Sequence, residues 1–189
     1  MAIQLTYFVH GTTTDNENNI STGWNQGELS ELGIRQSKEL RNQTQGQNFD
    51  VVFCSDLERA MITAQLAFAG RAPIIPDVRL RECNYGELNG GDSKVVEPLQ
   101  EDVRYKFPSG ESYEDVKARI NEFLKFLRKN YDGQSVAIVS HKAPQIALDV
   151  LLKNMTWEQA LASDWRKTKS PPSSKLRRTG WQPGWKYVF

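Results

Sequence analysis

Two short β-rich apolar runs, Ile3 to Val9 and Ser135 to Ser140, each stop directly at a histidine, and His10 and His141 are the only two histidines in the chain. Runs of this length and composition read as buried strands. Both imidazoles are therefore expected at the end of a strand, the edge at which open α/β sheets bind their ligands.

The intervening sequence alternates between strand and helix patterns. After His10-Gly11 a polar loop of Thr, Asp and Asn runs to Ile20. Ser30 to Gln43 reads as a surface helix with Leu32 and Leu40 on one face and polar Gln36 between them, and Gly33 costs it roughly 1 kcal/mol relative to alanine. Asp50 to Ser55 reads as a short buried strand, and Ser55-Asp56 as the cap of a helix running through Arg59 to about Ala67. Pro73 to Leu80 reads as a third strand ending at Arg81-Glu82, before a Gly- and Pro-punctuated stretch to Gly110. Ser112 can cap the clearest amphipathic pattern in the chain, in which Val116, Ile120, Phe123, Leu124 and Leu127 share a face. Pro144 suits the first turn of a helix after His141. Thr156 and Gln159 form a capping box for a short helix to about Trp165, Ser170 to Ser174 is a linker, and Trp185 to Phe189 reads as an edge strand. Strands alternating with helices predict an α/β sandwich with a largely parallel sheet.

Length and charge narrow the function. A chain of 189 residues suits one compact domain, here residues 1–165 with a C-terminal tail (166–189) packed on it. No apolar run approaches the roughly 20 residues of a membrane span, and the N-terminus lacks the build of a signal peptide, so a cytoplasmic protein is expected. With 24 Lys plus Arg against 23 Asp plus Glu, no global electrostatic case for nucleic-acid binding exists. The tail carries seven of the basic residues and no acidic one, which fits either a solvated tail or an anion-guiding segment. Its tryptophans, Trp181 and Trp185, more often pack a terminus than stack on a ligand. Cys54 and Cys83 form no CxxC pair, which argues against a disulfide framework or a zinc site. Two histidines without a nearby third ligand or HExxH spacing also make a poor zinc site.

Beyond the histidines, the same edge is expected to receive Ser55-Asp56-Leu57-Glu58-Arg59 and Arg81-Glu82. Two imidazoles, a guanidinium and a carboxylate would then converge. Singly, each has a plain structural explanation; together they suggest chemistry.

These residues occur in a telling order: Val9-His10-Gly11 with Asn16, Thr22-Gly23-Trp24, Leu29 to Gly33, and Ser55-Asp56-Leu57-Glu58-Arg59-Ala60 with Thr63-Ala64. Leu80-Arg81-Glu82 with Tyr85-Gly86, Pro108-Ser109-Gly110-Glu111-Ser112 and Val139-Ser140-His141 complete the series. The series resembles the histidine phosphatase superfamily, which includes the cofactor-dependent phosphoglycerate mutases. The resemblance implies a three-layer α/β/α sandwich and metal-independent, cofactor-free phosphoryl transfer, with a homodimer as a family-level expectation. It casts His10 as the nucleophile that becomes a phosphohistidine. Arg59 would offer phosphate a bidentate fork, and Asn16 a neutral donor. His141, if protonated, would be a second cation. Glu82 would be the acid and then the base, which requires a carboxyl pKa raised towards neutrality. Gly11, Thr22, Gly23, Tyr85 and Lys142 complete the expected substrate-binding set.

Three departures stand out. Val9 occupies the position of the family's arginine, and a lost charge-assisted hydrogen bond of roughly 1.5 to 3 kcal/mol would lower rate or affinity about tenfold to a hundredfold. Lys142 stands where glycine is common, and either replaces the missing charge or faces solvent. Thr12 stands where glutamate is frequent, so that Thr12, Thr13 and Thr14 either bind phosphate or simply shape a turn. Only 25 residues separate Glu82 from Pro108, too few for the long insertion with paired arginines that the mutases use. A phosphomonoesterase acting on a small phosphorylated metabolite is therefore expected. The alternatives are a catalytically impaired phosphate-binding or regulatory protein, and a mutase.

Overall fold

The computed structural model describes residues 1–166 and 184–189. The Ser170 to Ser174 linker, Trp181 and five of the tail's seven basic residues lie outside the described residues.

Five strands form one sheet: β1 (Gln4–Val9), β3 (Val51–Cys54), β4 (Ile74–Pro76), β6 (Ser135–Ser140) and β7 (Trp185–Val188). Their order is β4-β3-β6-β1-β7, parallel except for β7, which runs antiparallel to β1 at the edge. A two-stranded sheet of β2 (Ile20–Ser21) and β5 (Gly91–Asp92) lies apart. Strand alternation sorts the side chains onto two faces. Phe8, Val52, Cys54, Ala137 and Val139 pack against Leu40 of α2 (Glu31–Gln43) and against Ala64, Ala67 and Phe68 of α3 (Glu58–Phe68). On the other face Leu5, Tyr7, Val51, Phe53, Val136 and Ile138 meet α5 (Tyr113–Asn130) and α6 (Lys142–Leu152). The result is the expected α/β/α sandwich.

The amphipathic pattern after Ser112 becomes α5, whose N-terminus is closed by a reciprocal capping box between Ser112 and Asp115. Thr156 and Gln159 likewise cap α7 (Trp157–Ala162), which ends three residues before Trp165.

Elsewhere the expectations need correction. The α3 cap is Leu57, not Ser55-Asp56, and it makes no side-chain cap bond. Ser55 instead accepts from Leu57 N–H at 3.2 Å, while Gln26 from a distant loop accepts from Glu58 N–H at 3.0 Å. Asp56 is drawn away by a bidentate pair with Arg81 at 2.5 and 2.7 Å. The third strand is only Ile74–Pro76, because Asp77 caps a 3-10 turn over Val78–Leu80. The polar loop after Gly11 holds α1 (Thr14–Glu17), capped by Thr13 and Asn16, and the Gly- and Pro-punctuated stretch holds α4 (Ser93–Leu99), capped by Asp92.

One close approach explains why α2 tolerates Gly33. A Cβ on Gly33 would lie 2.0 Å from the Thr12 carbonyl oxygen, and one on Gly11 would lie 2.5 Å from that of Gly33. The two glycines let the segment after β1 rest on the first turn of α2. Gly33→Ala is accordingly expected to destabilise the protein, despite alanine's better helix propensity, and urea unfolding should show a lowered midpoint.

Candidate active site

β1 and β6 are parallel neighbours paired from Gln4↔Ser135 to Val9↔Ser140, so both strands end on the same rung. His10 N–H donates to the Ser140 carbonyl at 3.0 Å, and the His10 and His141 rings lie 5.0 Å apart, centroid to centroid. Tyr7 fixes the second histidine from beneath: its hydroxyl donates to the His141 carbonyl at 2.6 Å and accepts from His141 N–H at 3.0 Å.

The His10 Nδ1 atom sits 2.7 Å from the Gly11 carbonyl oxygen. A carbonyl can only accept, so Nδ1 carries the proton and Nε2 keeps its lone pair. Burial, reinforced by the Arg59 charge, pushes the His10 pKa down to about 3, so the ring is neutral. His141 is wholly buried, and neither ring nitrogen has a partner. Burial, then Arg59 and His10, hold its pKa well below that of free histidine. The conditional second cation of the sequence reading is thus a neutral imidazole here.

Arg59, 2% exposed, enters from the second residue of α3. Its Nη1 donates to the carbonyls of Asn25 and Gln26 at 2.7 and 3.0 Å, and its Nη2 to that of Gly23 at 2.7 Å. Gly23 adopts φ +56°, and a Cβ there would fall 1.9 Å from Asn89 Oδ1, so this loop can wrap the guanidinium only with glycine at that point. Glu82 lies at the start of α6. Its Oε1 accepts from Cys83 and Ala143 N–H at 2.8 and 3.1 Å, and its Oε2 from Lys142 N–H at 3.2 Å, so the carboxyl group is held against the first turn of α6.

A cavity of about 570 Å³, of small-molecule size, opens over this edge. Its walls include His10, Asn16, Thr22, Gly23, Arg59, Glu82, Tyr85 and Lys142 from the expected set, together with Val9 and Thr12. Asn16 uses its carbonyl oxygen to accept from Thr13 N–H, which leaves its amide N–H groups as donors. Thr13 caps α1, so at least that hydroxyl serves the turn. Gly11 serves the scaffold, with its N–H on Thr63 Oγ1 at 3.0 Å. Lys142 lies on the wall, but its ammonium is held by Gln100 Oε1 at 2.8 Å and stands 3.4 Å from Asp164. Among the described residues no three His, Cys, Asp or Glu side chains are grouped for metal binding.

Sequence reading missed the outer wall of Ser93, Glu97, Gln100 and Arg166. Arg166 pairs with Glu97 at 3.1 Å and with buried Asp164 at 3.2 Å. The signal for the α4 part of this wall was the Asp92-Ser93 step before Val95 and Val96, hidden by Pro98 within the helix. Gln36, which interrupts the apolar face of α2, is buried and accepts from Thr12 N–H at 2.8 Å.

The chain is thus an α/β protein whose mostly parallel sheet gathers two imidazoles, a buried guanidinium and a carboxylate around a cavity at its carboxyl edge. Residues 7–179 match the histidine phosphatase superfamily (branch 1), and the chain belongs to that family. It is 33% identical over 131 residues to phosphoserine phosphatase 1 of Hydrogenobacter thermophilus, covering 64% of this chain and 62% of that protein. Over 165 residues it is 32% identical to the 2,3-bisphosphoglycerate-dependent phosphoglycerate mutase of Methylorubrum extorquens strain PA1, covering 78% and 77%. The mycobacterial glucosyl-3-phosphoglycerate phosphatase superposes with a TM-score of 0.74 at 26% identity, over 86% of this chain and 84% of that one.

Proposed function

We propose that this protein hydrolyses a small phosphorylated metabolite through a phosphohistidine on His10. The observation that carries this reading is the Nδ1 contact with Gly11, which leaves the His10 Nε2 lone pair free beside Arg59 in a cavity of substrate size. In the first step a P–Nε2 bond forms as the ester P–O bond breaks, and Glu82 gives the leaving oxygen its proton. In the second, Glu82 takes a proton from water as the oxygen attacks phosphorus, returning free His10 and inorganic phosphate. Arg59, His141 and Asn16 donate to the phosphoryl oxygens, where charge stabilisation carries most of such catalysis. We propose a cytoplasmic reaction, with neither a membrane nor a nucleic acid as partner.

The family relatives support a phosphorylated metabolite as substrate, since their names refer to phosphoserine, phosphoglycerate and glucosyl-3-phosphoglycerate. The segment between Glu82 and Pro108 favours hydrolysis over mutase chemistry. It supplies α4, whose cavity-lining residues Ser93 and Glu97, with neighbouring Gln100, include no cation for a carboxylated substrate. A second reading, a phosphate-binding protein with little turnover, rests on Val9 in the cavity wall where the family has arginine.

Rapid-quench trapping with a labelled phosphomonoester tests the proposal. Acid-labile label should appear on His10 within the first turnover and be absent from His10→Asn. Hydrolysis that proceeds without label on His10 would overturn the phosphohistidine route, and phosphate binding without label or hydrolysis would establish the second reading.

A further inference from the structure

The proposed chemistry leaves unexplained the Pro108-Ser109-Gly110-Glu111-Ser112 motif and a partly buried guanidinium one turn and a half along the helix that follows it. Arg119 of α5 makes four hydrogen bonds. Its Nε and Nη2 grip the two Glu111 carboxylate oxygens at 2.9 and 3.1 Å, its Nη1 donates to the Arg79 carbonyl at 2.6 Å, and its Nη2 donates to the Glu82 carbonyl at 2.9 Å. Glu111 completes the brace by accepting from Asn84 N–H at 2.9 Å. The Glu82 carbonyl also receives the Trp24 indole N–H at 2.7 Å. Trp24 adjoins the Gly23, Asn25 and Gln26 carbonyls that clasp Arg59.

The segment from residue 79 to 84 is therefore pinned at Arg79, Glu82 and Asn84 by one ion pair. Glu82 itself is gripped from behind through its carbonyl and in front through its carboxylate. A 1 Å error in a proton donor's place is enough to lower a rate strongly, so what fixes this backbone bears directly on acid–base transfer. We infer that Arg119 and Glu111 are positioning residues for Glu82, setting where its carboxyl group meets the leaving oxygen and the attacking water. The inference rests on the proposed role of Glu82. Arg119 does not line the cavity, and it touches neither His10 nor Arg59 in any hydrogen bond described here. Lysine at 119 keeps the charge but carries its three donors on one atom, so it cannot reproduce four hydrogen bonds made from three separate nitrogens.

The experiment compares wild type, Arg119→Lys and Glu111→Gln with two esters, an alkyl phosphate whose leaving oxygen needs a proton and p-nitrophenyl phosphate, which departs without one. Tungstate inhibition reports the oxyanion pocket, and thermal unfolding reports the fold. Arg119→Lys should lower kcat for the alkyl ester about tenfold to a hundredfold. The p-nitrophenolate burst rate and the tungstate Ki should stay within about threefold, a split that loss of one acid–base contribution produces and general loosening does not. Parallel loss on both esters, or loss of tungstate affinity together with kcat, would overturn the inference. If Arg119→Lys fails to fold, Glu111→Gln carries the same test, since it keeps an acceptor for Asn84 and weakens the grip on Arg119. A wild-type enzyme that shows no burst and hydrolyses neither ester would refute the proposed function itself, and the positioning role with it.

Discussion

Val9→Arg should raise kcat/KM for phosphomonoester hydrolysis by about tenfold to a hundredfold. Val9 is the last residue of β1 and lines the cavity beside His10, the proposed nucleophile. A guanidinium at that point adds a charge-assisted hydrogen bond of roughly 1.5 to 3 kcal/mol to the transferring phosphoryl group. Among the described residues, the cavity wall offers little uncommitted positive charge. Both imidazoles are neutral, Lys142 and Arg166 are paired with Asp164, and Arg59 already serves three carbonyls. Lys142 therefore does not stand ready as the substitute cation, because its ammonium is anchored on the outer wall. Steady-state kinetics on both proteins would decide the point, and an unchanged kcat/KM would show that the lack of a cation at residue 9 is not what limits this site.

The second large effect concerns acid. His10 and His141 are protonated more readily in the unfolded chain, with pKa about 6.5, than in the fold, where burial holds them down, to about 3 for His10. The unfolded state thus binds more protons between these limits, and stability falls as pH drops below about 6.5. His10, held to about 3, costs up to about 1.4 kcal/mol per pH unit, or roughly 3 kcal/mol by pH 4.5, a large share of the stability of many domains, and His141 adds to the loss in the same direction. Above pH 6.5 neither contributes. Urea unfolding across this range should show the loss, and His141→Asn should flatten the curve relative to wild type. Inorganic phosphate, by giving His141 a counter-ion, should move the fall to lower pH. A curve with the same slope in His141→Asn would contradict the neutral-imidazole assignment.

What the sequence disclosed depended on how local the signal was. β1, β6 and α5 were legible because unbroken apolar runs and the Ser112 cap lie within a few residues of what they specify. The α3 start was misread because its first N–H groups are met partly by Gln26, over thirty residues away in the chain. α1 and α4 escaped because one is four residues long and the other contains Pro98. At the site, the residues forming the inner cluster could be named from their places after strands and in motifs. The Arg59 clasp, the Arg119 brace and the pairing of Lys142 with Asp164 could not, since each joins segments far apart in sequence. Gly33 looked like a flaw in a helix until the Thr12 carbonyl was found lying against it.

The shared final rung of β1 and β6 also dates the birth of the proposed catalytic centre during synthesis. Tyr7 and His141 are 134 residues apart, so a ribosome must deliver that whole stretch before the two imidazoles can meet. Nascent fragments stopping short of β6 lack half the centre, which makes the onset of phosphate release a clock for the slow, long-range closure of the sheet.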